Sequence, residues 1–116
     1  MAQKTLPREL RPTRAALYTM INDDSPDLTV RQLAILMTLV DLPPEKTSVK
    51  HLAEPLKVPK PVVTRALDRM ADLGLVQRFG YPPGDRRQIT VGVTDKGRDL
   101  LRAMGKAAGR ALAEAA

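Results

Sequence analysis

A chain of 116 residues with a formal charge of +6 is long enough for one compact domain with a real core and too short for two. It contains no cysteine, which excludes disulfides, thiolate metal sites, cysteine nucleophiles and thiol redox sensing together. No stretch approaches the roughly 18 apolar residues of a membrane span, and Tyr18, Phe79 and Tyr81 are the only aromatic residues, so the core must be built from Leu, Val, Ile, Met and Ala. Lys4, Arg8 and Arg11 are followed by no apolar run, so the expected location is the cytoplasm, with no membrane association.

The first helix is expected from Pro12 to about Ile21, with Leu17, Met20 and Ile21 on one side and Pro12 tolerated in the first turn. Asn22 to Pro26 breaks it. Thr29-x-x-Gln32 is a capping box, which predicts a second helix from Val30 to Val40 burying Leu33, Leu36, Met37 and Val40. Leu42-Pro43-Pro44 ends that helix.

Thr47-Ser48 can cap a short third helix whose apolar positions are Val49, Leu52, Ala53 and Leu56, stopped by Pro55 and the following turn. After Lys57-Val58, a fourth helix buries Val63, Ala66, Leu67, Met70 and Leu73 at helical spacing, and Gly74 supplies its left-handed C-terminal residue. Lys60, Thr64, Arg65, Asp68 and Arg69 are left outside. Two antiparallel strands follow, Leu75 to Tyr81 and Gln88 to Val93, joined by a turn at Pro82-Pro83-Gly84-Asp85. Thr94 caps a last helix with a stripe of Leu100, Leu101, Met104, Ala108, Ala111 and Leu112. That stripe serves either a homodimer or packing on the first helix of the same chain.

Charge is unevenly spread. Residues 57–94 carry seven basic and three acidic groups, whereas residues 23–56 carry three basic and six acidic. Positive charge gathered on the fourth helix, the hairpin and the chain ends is the footprint of a polyanionic partner. Other constellations are weak: His51 with Glu54 makes no metal site, and Asp23, Asp24 and Asp27 lack the glycine and glutamate of a calcium loop. No catalytic triad or phosphate-binding glycine loop is present, so neither an enzyme nor a cofactor is expected.

The fold class is mainly α with a small β-hairpin, in the order α-α-α-α-β-β-α, and this order with a tight turn between the third and fourth helices is a winged helix-turn-helix. The residues also resemble a known family. LTVRQLAILMTLV, SVKHLAEPLKVPKPVVTRALDRMADLGLVQR, DRR and VGVTDKG, covering Leu28 to Gly97, are similar to the MarR family of multiple-antibiotic-resistance regulators, as a short variant. The resemblance implies a dimeric, sequence-specific regulator of transcription, commonly a repressor, that binds double-stranded DNA with its fourth helix in the major groove and its wing in the neighbouring minor groove. It implies that Arg87 is the inserted side chain, that Asp85 orients it and that Arg86 meets phosphate or the groove edge. A narrow minor groove concentrates negative potential, which agrees with a guanidinium there.

Lys60, Pro61, Thr64 and Arg65 stand at the start of the fourth helix for base or phosphate contacts, and Thr47, Ser48 and Lys50 at the start of the third for phosphates. Arg78 is read as a partner of Asp72 or Asp68. Pro59 stands where many family members place a serine, so the usual cap is missing. The terminal segments 1–27 and 98–116, expected to dimerise through Leu17, Leu100, Leu101, Met104, Ala108 and Leu112, flank a core of 28–97 within a single domain spanning 1–116. Without cysteine, any effector is expected to be a small aromatic or phenolic molecule. A nucleoid-associated repressor on a pseudo-palindromic operator is the expected function. A winged-helix protein-interaction module and a sequence-tolerant DNA-architectural protein are the alternatives.

Overall fold

The computed structural model describes residues 5–22, 25–79 and 90–115, which fall into two compact units, one of residues 28–98 and one of residues 1–27 with 99–116. In the first unit, α2 spans Val30–Asp41, α3 Val49–Leu56, α4 Lys60–Asp72, β1 Val76–Phe79 and β2 Thr90–Val93, followed by the start of α5, Asp95–Ala115. The mainly helical chain with a two-stranded antiparallel hairpin is the fold class that the sequence predicts.

Helix α2 begins at the predicted capping box: the Thr29 hydroxyl accepts the Gln32 amide at 3.1 Å while the Gln32 side chain accepts the Thr29 amide at 2.9 Å. Its buried residues are Ile35, Leu36 and Leu39, whereas Met37 and Val40 are exposed. Of the stripe expected at Leu33, Leu36, Met37 and Val40, Leu36 is buried and Leu33 half-buried, and the inward face is rotated by about a quarter of a turn. Apolar residues surround most of this helix, so periodicity allows more than one inward face, and packing against α3, α4 and β2 selects one.

A short 3-10 turn at Pro44–Lys46, not foreseen from the prolines, leads into α3. Ser48 caps α3, which runs one residue past Pro55 and ends where Lys57 adopts φ 54°, a left-handed conformation for which a non-glycine residue gives no sequence signal. Helix α4 buries Val63, Ala66, Leu67 and Met70 as predicted, while Leu73, expected inside, is half-buried at the C-cap. Gly74, at φ 76°, closes a Schellman motif: its amide bonds the Ala71 carbonyl at 3.0 Å and the Leu75 amide bonds the Met70 carbonyl at 2.9 Å.

That last bond explains why β1 starts at Val76 rather than at Leu75, whose amide is used in closing the helix. The strands pair Val76 with Val93 and Phe79 with Thr90. Tyr81, the turn from Pro82 to Asp85, Gln88 and Ile89 lie outside the described residues. In the second unit, a 3-10 turn at Arg8–Leu10 precedes α1, Arg11–Asn22, which starts one residue before the predicted Pro12. Met20 is buried while Leu10, Leu17, Tyr18 and Ile21 are exposed. On α5, Leu100 and Met104 are buried within the chain, Leu101 and Ala108 are half-buried and Leu112 is exposed.

Candidate nucleic-acid interface

Helix α4 divides cleanly by side. Lys60, Pro61, Thr64, Arg65, Asp68 and Arg69 are exposed, each four residues from another, and Val63, Ala66, Leu67 and Met70 fill the core opposite. The start of this helix has few free backbone donors: Pro59 makes no side-chain cap, Pro61 has no N–H, and the Val62 amide turns back to the Pro59 carbonyl at 3.0 Å. Anion binding at this end therefore rests on side chains. The Thr64 hydroxyl donates to the Lys60 carbonyl at 3.2 Å, which leaves its oxygen as an outward acceptor.

At the start of α3, Lys50 is exposed and Ser48 is half-buried, its oxygen accepting the His51 amide at 3.4 Å and lying 2.7 Å from His51 Nδ1. His51 is thus half-buried and paired with Ser48. Thr47 is a correction. It is buried at 3% exposure, and its hydroxyl accepts the backbone amide of Val91 at 3.1 Å, so it braces the hairpin and does not face a phosphate. Among the described residues no cluster of His, Asp and Glu could hold a metal ion.

The hairpin is fastened on both strands, to α4 and, through Thr47, to the segment ahead of α3. Arg78 on β1 is ion-paired with Asp68 on α4, choosing between the two partners left open by the sequence. Beyond β2, the Thr94 hydroxyl donates to the Gly74 carbonyl at 2.6 Å while its oxygen caps α5 by accepting the Gly97 amide at 3.1 Å. Lys96 Nζ reaches the Leu73 carbonyl at 2.8 Å, so two side chains satisfy carbonyls at the end of α4. Gly97 is required sterically, because a Cβ there would sit 2.4 Å from the Leu75 carbonyl oxygen. Thr94 is the predicted cap, and Lys96 and Gly97 belong to the VGVTDKG motif quoted above; what the sequence did not reveal is the bond from Thr94 to Gly74, the bond from Lys96 to Leu73 and the close approach of Leu75 to Gly97. Asp85, Arg86 and Arg87 lie outside the described residues.

The profile of the MarR family matches residues 27–88. The chain belongs to the MarR family. It is 32% identical over 96 residues to the HTH-type transcriptional regulator MT0903.1 of Mycobacterium tuberculosis, an alignment covering 80% of this chain and 62% of that protein. The chain thus spans less than two thirds of that relative. Among solved structures, RV1404 from Mycobacterium tuberculosis superposes with a TM-score of 0.75 at 24% identity, covering 91% of this chain and 69% of that one. The S. aureus MepR–DNA complex superposes with a TM-score of 0.71 at 20% identity, covering 84% and 76%. At these identities the likeness establishes the MarR winged-helix fold.

Proposed function

We propose that this MarR-family chain is a double-stranded-DNA-binding regulator of transcription, acting as a homodimeric repressor on a pseudo-palindromic operator. The observation that carries this reading is the outward face of α4, where Lys60, Pro61, Thr64 and Arg65 are free of the core on a helix to which the hairpin base is tied. In this reading α4 enters the major groove, Ser48 and Lys50 approach phosphates, and Asp85, Arg86 and Arg87 serve the minor groove. A fold-mate having been solved on DNA supports it.

Dimerisation is assigned to the terminal unit, where Leu17 and Leu112 are exposed and Leu101 and Ala108 half-buried; Leu100 and Met104 are already covered within one chain. A groove of about 300 Å³ in the same unit, lined by Arg11, Arg14, Ala15, Tyr18, Ala111 and Glu114, has the guanidinium and ring chemistry for a small aromatic effector. The setting is cytoplasmic and nucleoid-associated.

Selection of bound sites from random duplex DNA tests the proposal. A sharp inverted repeat is expected. Binding without a motif would point to the architectural role, and no binding to any duplex would leave the protein-interaction module.

A further inference from the structure

Arg78 is set apart from the other basic residues of this unit by where its side chain points. Side chains alternate along a strand, so Arg78 shares a face of β1 with Val76, which is buried, and it lies across from Val91, also buried. Its guanidinium therefore runs along the edge of the core towards α4, and Nη2 meets Asp68 Oδ1 there. Asp68 belongs to the exposed face of α4, one turn beyond Thr64 and Arg65.

An ion pair this accessible, with side chains 38% and 54% exposed, contributes little to the stability of the free protein. Its setting changes when a duplex covers α4. Water is displaced, the local dielectric falls, and a bare carboxylate on the groove-facing side would meet phosphates of the same sign. We infer that Arg78 is a positioning residue for DNA binding, cancelling the Asp68 carboxylate and holding the first strand of the hairpin to the recognition helix, rather than contacting phosphate itself. The inference rests on the DNA-binding reading above and adds a role for a residue outside the contact set proposed there.

A double-mutant cycle tests it, with Arg78→Gln, Asp68→Asn and the double variant measured on a labelled duplex carrying the selected site and on random-sequence duplex. Arg78→Gln is expected to weaken binding about tenfold, because it leaves the carboxylate unpaired against the phosphates. Asp68→Asn is expected to tighten it about threefold, and the double variant to return to within about threefold of the unmodified protein. The slope of log K against log salt should be the same for Arg78→Gln as for the unmodified protein, since no phosphate contact is lost; a direct contact would lower it by about 0.9 per chain. A double variant as weak as Arg78→Gln, or a reduced salt slope, would overturn the inference and make Arg78 a phosphate ligand. Should Arg78→Gln fail to fold, weaker binding by Asp68→Asn would overturn it just as directly. If the unmodified protein binds neither duplex, the functional reading itself falls; binding by the unmodified protein with no coupling in the cycle removes this inference alone.

Discussion

The buried hydroxyl of Thr47 accepts the amide of Val91 at 3.1 Å, across 44 residues of chain, so the residue ahead of α3 holds the returning strand of the hairpin. Thr47→Val keeps the shape and removes the acceptor, leaving a buried N–H unpaired. A loss of about 1–3 kcal/mol is expected, read as a lower denaturant midpoint at unchanged slope. Thr47→Ser should lose much less. Equal midpoints for the valine variant and the unmodified protein would show that the bond contributes nothing.

Glycines on α5 should respond in opposite directions. Gly97→Ala forces a Cβ against the Leu75 carbonyl oxygen at 2.4 Å and the Val93 side chain at 2.7 Å, and is expected to cost about 1–3 kcal/mol or more. Gly105 and Gly109 have open space around the missing Cβ, so alanine at either should stabilise the helix by up to roughly 1 kcal/mol. Thermal melting of the three variants decides the matter; a destabilised Gly105→Ala or Gly109→Ala would mean that a second chain packs against these positions.

On DNA, Arg65→Ala and Arg87→Ala are each expected to weaken binding by about 1–3 kcal/mol with melting unchanged, because Arg65 is outside the core and Arg87 is read as a wing-tip side chain. Asp85→Ala should be milder than Arg87→Ala, since it removes only the group that orients the arginine. Fluorescence anisotropy across a salt series should give a steep slope, near −0.9 per neutralised phosphate. A flat salt response would argue for a protein partner instead.

Assembly is tested by Leu101→Asp, which places a charge on a half-buried position of α5, on the side that carries the exposed Leu112 about three turns further on. The variant should be a folded monomer that retains weak, salt-sensitive binding to a half-site. It should lose the full operator, whose two halves need recognition helices about 34 Å apart. Light scattering that finds the unmodified protein monomeric at high concentration, with and without DNA, would remove the dimer.

Elements were legible in the chain wherever the forces that make them are local. The Thr29–Gln32 capping box, the stripe from Val63 to Met70 and the Gly74 stop each involve partners within a few residues, and each was read at its observed place. The outward set Lys60, Thr64 and Arg65 follows from the same periodicity. Long-range choices were not legible, for a physical reason. Which face of α2 turns inward depends on what α3, α4 and β2 present to it, and a helix with apolar residues on most of its sides leaves that choice open. Whether Thr47 faces solvent or the amide of Val91, whether Arg78 finds Asp68 or Asp72, and why position 97 admits no side chain all depend on backbone brought together from distant parts of the chain. Residue type supplies the hydrogen-bonding groups and the apolar surface; packing assigns their partners.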